Sequence, residues 1–217
     1  MLIAVALALA ILIYASIQDL KYREIDDKSF LALFLLGAAL MAYSPSRYLV
    51  EKFLMSMLVL AAFTLILYKA KLIGGGDAKI LLGLSAVFPM YPADTLSVFP
   101  FFTLSIFANA VFLTAAAPVF FLLYNLKKGN IARSRREIPM MFLGYRRKAS
   151  MVRDFEAPVD TIRNLISPGK KLGRKSSSRK EVWVTPALPF VVSITAAFLI
   201  SLLWGDVPSY LLVRLFK

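Results

Sequence analysis

The chain has 217 residues, 59% of them hydrophobic, with a net charge of +13 and a mean hydropathy of +0.70. That is more apolar sequence than one soluble core of this length needs, and several uncharged runs reach the ~17–25 residues that cross a bilayer as a helix, so a polytopic membrane protein is expected. There is no cysteine and no histidine, which excludes disulfides, His-ligated zinc and Ser-His-Asp or Cys-His nucleophiles and leaves acid–base chemistry to Asp, Glu, Lys or Tyr.

Met1–Gln18 is apolar and uncharged. A secretory signal would carry a basic stretch ahead of such a run, and none is present, so it reads as a retained first helix. It ends at Asp19, with Lys21, Arg23 and Lys28 beyond. Ser29–Tyr43 is a second, short span, followed by a turn at Ser44-Pro45-Ser46. The third span runs from Val50 to Tyr68, and Lys69 and Lys71 close it. Leu72-Ile73-Gly74-Gly75-Gly76-Asp77 leads into the fourth, which fades near Pro89–Pro92. Thr95–Tyr124 is the fifth, with Pro100 and Pro118 as points where a helix kinks or ends. Asn109 in its middle reads as a helix-contact hydrogen bond.

Residues 125–181 differ in kind. They carry 16 Lys+Arg against 5 Asp+Glu, most of the net charge of the whole chain. Met140, Met141, Phe142, Leu143, Val152, Phe155 and Ile162 are enough apolar residues for a small folded insert. Gly169–Lys180 reads as a solvated linker. Val182–Trp204 is the sixth span, its start interrupted by Pro186 and Pro189, and 205–217 is an apolar tail suited to a membrane interface. The expected fold class is therefore an all-α membrane protein: helices 1–5 in 1–124, a basic cytoplasmic insert in 125–181, helix 6 in 182–204 and a tail in 205–217.

Positive charge orients the spans. The first, third and fifth connections hold Lys21, Arg23 and Lys28, then Lys69, Lys71 and Lys79, then the insert. The second carries Arg47 and Lys52, and the fourth holds no Lys or Arg. Odd connections are thus expected in the cytoplasm and the N-terminus outside. Asp19, closing the first helix, and Asp77, opening the fourth, then fall at the same cytoplasmic boundary.

A carboxylate at the edge of a membrane span is costly and marks a candidate site. Two close carboxylates share a proton; the ionised one can take a proton from water and the protonated one can give a proton to a peptide. The plainer alternative is a capping or solvated Asp at each helix end. Asp26 and Asp27 rank below Asp19 because they fall in the following turn. Lys21, Arg23 and Lys79 read as snorkelling anchors in preference to groups that orient the pair.

Gly74-Gly75-Gly76-Asp77 resembles the Gly-x-Gly-Asp motif of intramembrane aspartic proteases, and with Ala78-Lys79 it is similar to archaeal preflagellin and prepilin peptidases. Asp19-Leu-Lys-Tyr-Arg-Glu-Ile25-Asp26 resembles that family's first aspartate element. The resemblance implies a membrane aspartic endopeptidase without metal or cofactor, with Asp19 and Asp77 as the catalytic pair. It implies that Gly74, Gly75 and Gly76 give loop flexibility and close approach of a substrate backbone. Pro186-Ala187-Leu188 resembles, over only three residues, the Pro-Ala-Leu element of presenilin-type relatives. The implied substrates are archaellin or pilin-like precursors, cut after a basic leader at the cytoplasmic face. The insert reads either as a surface for anionic lipid headgroups or as a solvated basic face; no nucleic acid is expected. The competing function is an ion- or proton-coupled transporter, which would place its aspartates near mid-membrane.

Overall fold

The computed structural model describes residues 1–43, 46–92, 98–152, 156–158 and 181–215. The turn at Ser44-Pro45, the linker expected at Gly169–Lys180, and Phe155 and Ile162 lie outside them. The chain divides into two compact units, one formed by Met1–Leu113 with Pro189–Lys217 and the other by Thr114–Leu188.

The first unit begins with α1 (Leu2–Tyr22), which has no Gly or Pro to interrupt it and stops where Arg23 turns left-handed at φ 56°. α2 (Asp27–Tyr43) follows after a short loop. α3 (Arg47–Lys69) starts on a Ser46 cap whose hydroxyl accepts the Leu49 N–H at 3.1 Å. α4 (Gly75–Val87) is only 13 residues long and is buried along most of its length. It lies against both α2 and α3. Two glycines permit this. A Cβ at Gly37 of α2 would run into the Ala86 backbone carbonyl of α4, and one at Gly83 would come within 2.8 Å of the Leu33 side chain. Small residues let membrane helices approach closely and gain van der Waals contact that lipid would otherwise supply.

α5 (Phe102–Ala115) supplies the rest of the core with Phe102, Ile106 and Ala110. α8 (Phe190–Trp204) packs along α1. Polar groups line that seam: the Ser16 and Thr195 hydroxyls are 2.7 Å apart, and Thr195 Oγ1 donates to the Val191 carbonyl at 2.9 Å. α9 (Val207–Leu215) leaves α8 at a bend of 55°. Asn109 holds that bend. Its Nδ2 donates to Ser201 Oγ and the Gly205 carbonyl, each at 2.8 Å, and its Oδ1 accepts the Val207 N–H at 2.9 Å. The carboxamide thus satisfies backbone groups that the bend frees inside an apolar environment.

The described residues of the second unit form α6 (Ala117–Lys128), which ends at Gly129 with φ 70°, then α7 (Ile138–Leu143) and three strands. β1 (Tyr145–Lys148), β2 (Glu156–Pro158) and β3 (Glu181–Pro186) form an antiparallel sheet in the order β1-β3-β2. Tyr145 pairs with Val184 and Glu156 with Pro186. Met140, Met141 and Trp183 form the small core. The Arg146 guanidinium lies 4.9 Å from the Trp183 ring centre and pairs with Glu137. Arg147 binds both oxygens of the buried Glu156 carboxylate, at 2.8 and 3.0 Å.

Two expectations are corrected here. The chain is mostly helical but not all-α, because β-branched Val182, Val184 and Thr185 favour the extended strand that three-stranded pairing buries. The sixth helix does not start at Val182. Pro186 sits at the end of the strand, and the helix begins only at Phe190, after Pro189. The long fifth stretch breaks where Pro118 was expected to kink or end it: the helix is interrupted at Ala116, and Pro118 takes the second position of α6.

Among the described residues, three stretches are long and apolar enough to cross a membrane, Leu2–Tyr22, Arg47–Lys69 and Phe102–Lys128, and the bent pair α8–α9 makes up to four. α2, α4 and α8 are shorter, at 17, 13 and 15 residues.

Candidate functional site

Asp19 stands in the last turn of α1, not beyond it, and is 7% exposed. Its position follows from the continuous apolar face Ala4, Ala8, Leu12 and Ala15, which packs into the core and carries the next residue on the same face inward. A buried carboxylate needs a donor. Asp19 Oδ2 accepts the Val191 N–H at 3.0 Å, one of the first-turn amides of α8 that have no partner within their own helix. The Arg23 guanidinium is close enough to act on the same carboxylate through its charge.

Asp77 occupies the first turn of α4. Its Oδ2 accepts the Gly74 N–H at 3.0 Å, which closes the helix start in the manner of one half of a capping box. Asp19 and Asp77 lie near enough for the two charges to interact. The two aspartates singled out in the sequence thus stand on α1 and α4, helices of the same unit that touch each other.

The three glycines have different jobs. None of Gly74, Gly75 and Gly76 has a positive φ. Gly76 is required for closeness: a Cβ there would come within 2.7 Å of Ile25 Cδ1 and 3.1 Å of Ile25 Cβ. Gly75 has room, with the Tyr68 ring 3.6 Å away, and Gly74 supplies its N–H to Asp77. Pro186, Ala187 and Leu188 belong to the other unit, with Pro186 closing β3.

Asp26 lies in the loop and Asp27 at the start of α2. Asp26 Oδ1 accepts the Lys28 N–H at 3.1 Å, and this hydrogen bond holds its carboxyl below the usual range. Asp27 forms an ion pair with Lys79. Among the described residues, no three His, Cys, Asp or Glu side chains converge as a metal site requires.

Sequence reasoning missed two partners of the site. One is the Val191 amide, whose signal was Pro189, a residue that stops a strand and precedes a helix. The other is Ile25, seated on Gly76. The legible signal for it was the glycine at the second helical position beside an aspartate.

The type IV leader peptidase family model matches residues 6–126, and a model for the archaeal peptidase A24 C-terminus type II matches residues 145–207. The preflagellin peptidase of Methanococcus maripaludis is 30% identical over 211 residues, covering 90% of this chain and 92% of that protein. That of Methanocaldococcus jannaschii is 30% identical over 213 residues, covering 90% and 91%. The preflagellin peptidase of Methanococcus voltae is 27% identical over 226 residues, covering 94% and 96%.

Proposed function

Because this chain belongs to the type IV leader peptidase family, we propose that it removes the leader from preflagellin-like precursors by hydrolysis at an Asp19–Asp77 pair. It is a peptidase, and the relatives named as preflagellin peptidases carry the substrate class to it. The observation that supports the pair is its geometry: two carboxylates on separate helices within electrostatic reach, each with Oδ2 on a backbone N–H. Those amides orient the carboxyls and leave Oδ1 of each for the reacting groups.

In this reading the pair holds one proton between two carboxyls, because ionising both at close range is costly. The ionised member takes a proton from water as the water oxygen attacks the scissile carbonyl carbon. The protonated member gives its proton to the carbonyl oxygen. As the C–N bond breaks, the carboxyl that took the water proton passes it to the leaving amine, and the other carboxylate takes back the proton it gave to the carbonyl oxygen, so a carboxylic acid is released and the pair regains its single proton. The two Asp side chains supply both acid and base, which a chain without histidine requires.

The same reading includes six crossings with the N-terminus outside and the pair at the cytoplasmic boundary. Lys21, Arg23, Lys28, Lys69, Lys71 and Lys79 all border that end of α1, α3 and α4. α4, at 13 residues, is about 20 Å long against a ~30 Å hydrocarbon core. Its crossing is completed by the buried segment around Phe88, since irregular backbone is tolerated there when surrounded by protein. The basic unit lies against anionic headgroups, which attract each exposed Lys or Arg by about 1 kcal/mol. The pair at helix ends suits a boundary protease better than a relay through mid-membrane.

The test is cleavage of a preflagellin-like precursor by membranes holding wild type, Asp19→Asn or Asp77→Asn. Each single change abolishes cleavage while the protein still inserts. Activity near wild type in either variant rejects the pair.

A further inference from the structure

The loop between α1 and α2 touches both carboxylate-bearing helices. On the α1 side, the Asp26 N–H donates to Gln18 Oε1 at 3.2 Å, one residue before Asp19, and Gln18 Nε2 donates to the Tyr14 hydroxyl at 3.0 Å. On the α4 side, Ile25 fills the space left by the missing side chain of Gly76. The Lys79 ammonium pairs with the Asp27 carboxylate, joining positions far apart in the chain. Gly76 and Lys79 are three residues apart on one helix and so share a face. Asp77 is the next residue after Gly76. Two contacts on one face fix both the height and the axial rotation of the first turn of α4, and with them the direction of the Asp77 carboxyl.

We propose that Asp27 and Lys79 are positioning residues, an ion-pair latch that aims Asp77 at Asp19. This rests on the Asp-pair reading above. Lys79 is thus more than a membrane anchor, although its side chain remains 46% exposed and that of Asp27 73% exposed. An ion pair so exposed adds little to global stability. Its loss therefore separates aiming from folding.

The experiment uses the full chain in membranes, with a preflagellin-like precursor as the probe. Asp27→Asn and Lys79→Met each lower kcat about threefold to fivefold, with KM and thermal midpoint unchanged, the pattern of a lost transition-state contribution. The reversed pair, Asp27→Lys with Lys79→Asp, recovers most of that loss. Single variants with wild-type kcat, or a raised KM with kcat intact, overturn the latch. So does a reversed pair no better than the single variants. Asp77→Asn runs alongside: if it cleaves normally the Asp-pair reading fails and the latch with it, whereas an inactive Asp77→Asn beside fully active latch variants sinks the latch alone.

A second measurement needs no activity. The chain has no cysteine, so Asp19→Cys with Asp77→Cys gives a single cross-linkable pair. Adding Lys79→Met cuts the yield of a short thiol cross-linker severalfold. An unchanged yield overturns the latch.

Discussion

Gly37→Ala isolates what close packing contributes to this fold. The added Cβ would meet the Ala86 carbonyl carbon at 2.5 Å and the Val87 nitrogen at 2.9 Å, with the Ala86 oxygen nearer still. Carbon atoms pack best at about 3.5–4.0 Å, so the overlap with the carbonyl carbon is roughly 1 Å. The obstacle is helix backbone, which has no rotamer to change. α2 and α4 must therefore separate, at the ~1–3 kcal/mol typical of overpacking. Alanine also favours the helix over glycine by about 0.5–1 kcal/mol. The net expectation is a loss of roughly 0.5–2 kcal/mol, with α4 and its aspartate displaced. Gly83→Ala is the comparison, because its obstacles are farther off: the Leu33 Cβ at 2.8 Å, which no rotamer change moves, and the Leu33 Cδ1 at 3.0 Å, which can turn aside. Thermal unfolding in detergent, followed by Trp183 and Trp204 fluorescence, should rank wild type above Gly83→Ala and Gly83→Ala above Gly37→Ala. A Gly37→Ala protein as stable as wild type would refute the reasoning from close approach.

Other outcomes follow from the same contacts. Gly76→Ala should lower precursor cleavage several-fold, and adding Ile25→Ala should restore part of it, since that change removes the Cδ1 and Cγ1 atoms that lie 2.7 and 3.3 Å from the new Cβ; paired kinetic assays check this. Val191→Pro deletes the N–H that binds Asp19 at a second helical position, where Pro118 and Pro139 already sit in α6 and α7. A hydrogen bond to a charged group contributes about 1.5–3 kcal/mol, so kcat should fall at least about tenfold while the fold persists. The Glu137 carboxyl is held below its ordinary value of 4.5, first by the Arg133 N–H and then by Arg146. Its folded value is depressed, so the stability it contributes is complete above about 4.5 and drains away as pH falls through the lower folded value. Protease protection of the basic unit should show this acid loss in wild type and a flatter response in Glu137→Gln.

Composition and charge placement were enough to identify a helical membrane chain, because long uncharged runs and their basic borders are written in one dimension. The two aspartates were also legible, since a carboxylate flanking an apolar run is costly wherever the helix packs. The strand at Glu181–Pro186 was not: its β-branched residues lean toward the extended form, but they run on into the apolar stretch of the sixth span with no break in hydrophobicity, and pairing with β1 and β2 is what sets them apart from it. Nor was the Val191 amide on Asp19, or Ile25 on Gly76. Those contacts join residues whose separation along the chain carries no periodicity to read. They exist because α8 returns beside α1 and because two glycines let α4 sink against α2, and such meetings are decided by packing in three dimensions.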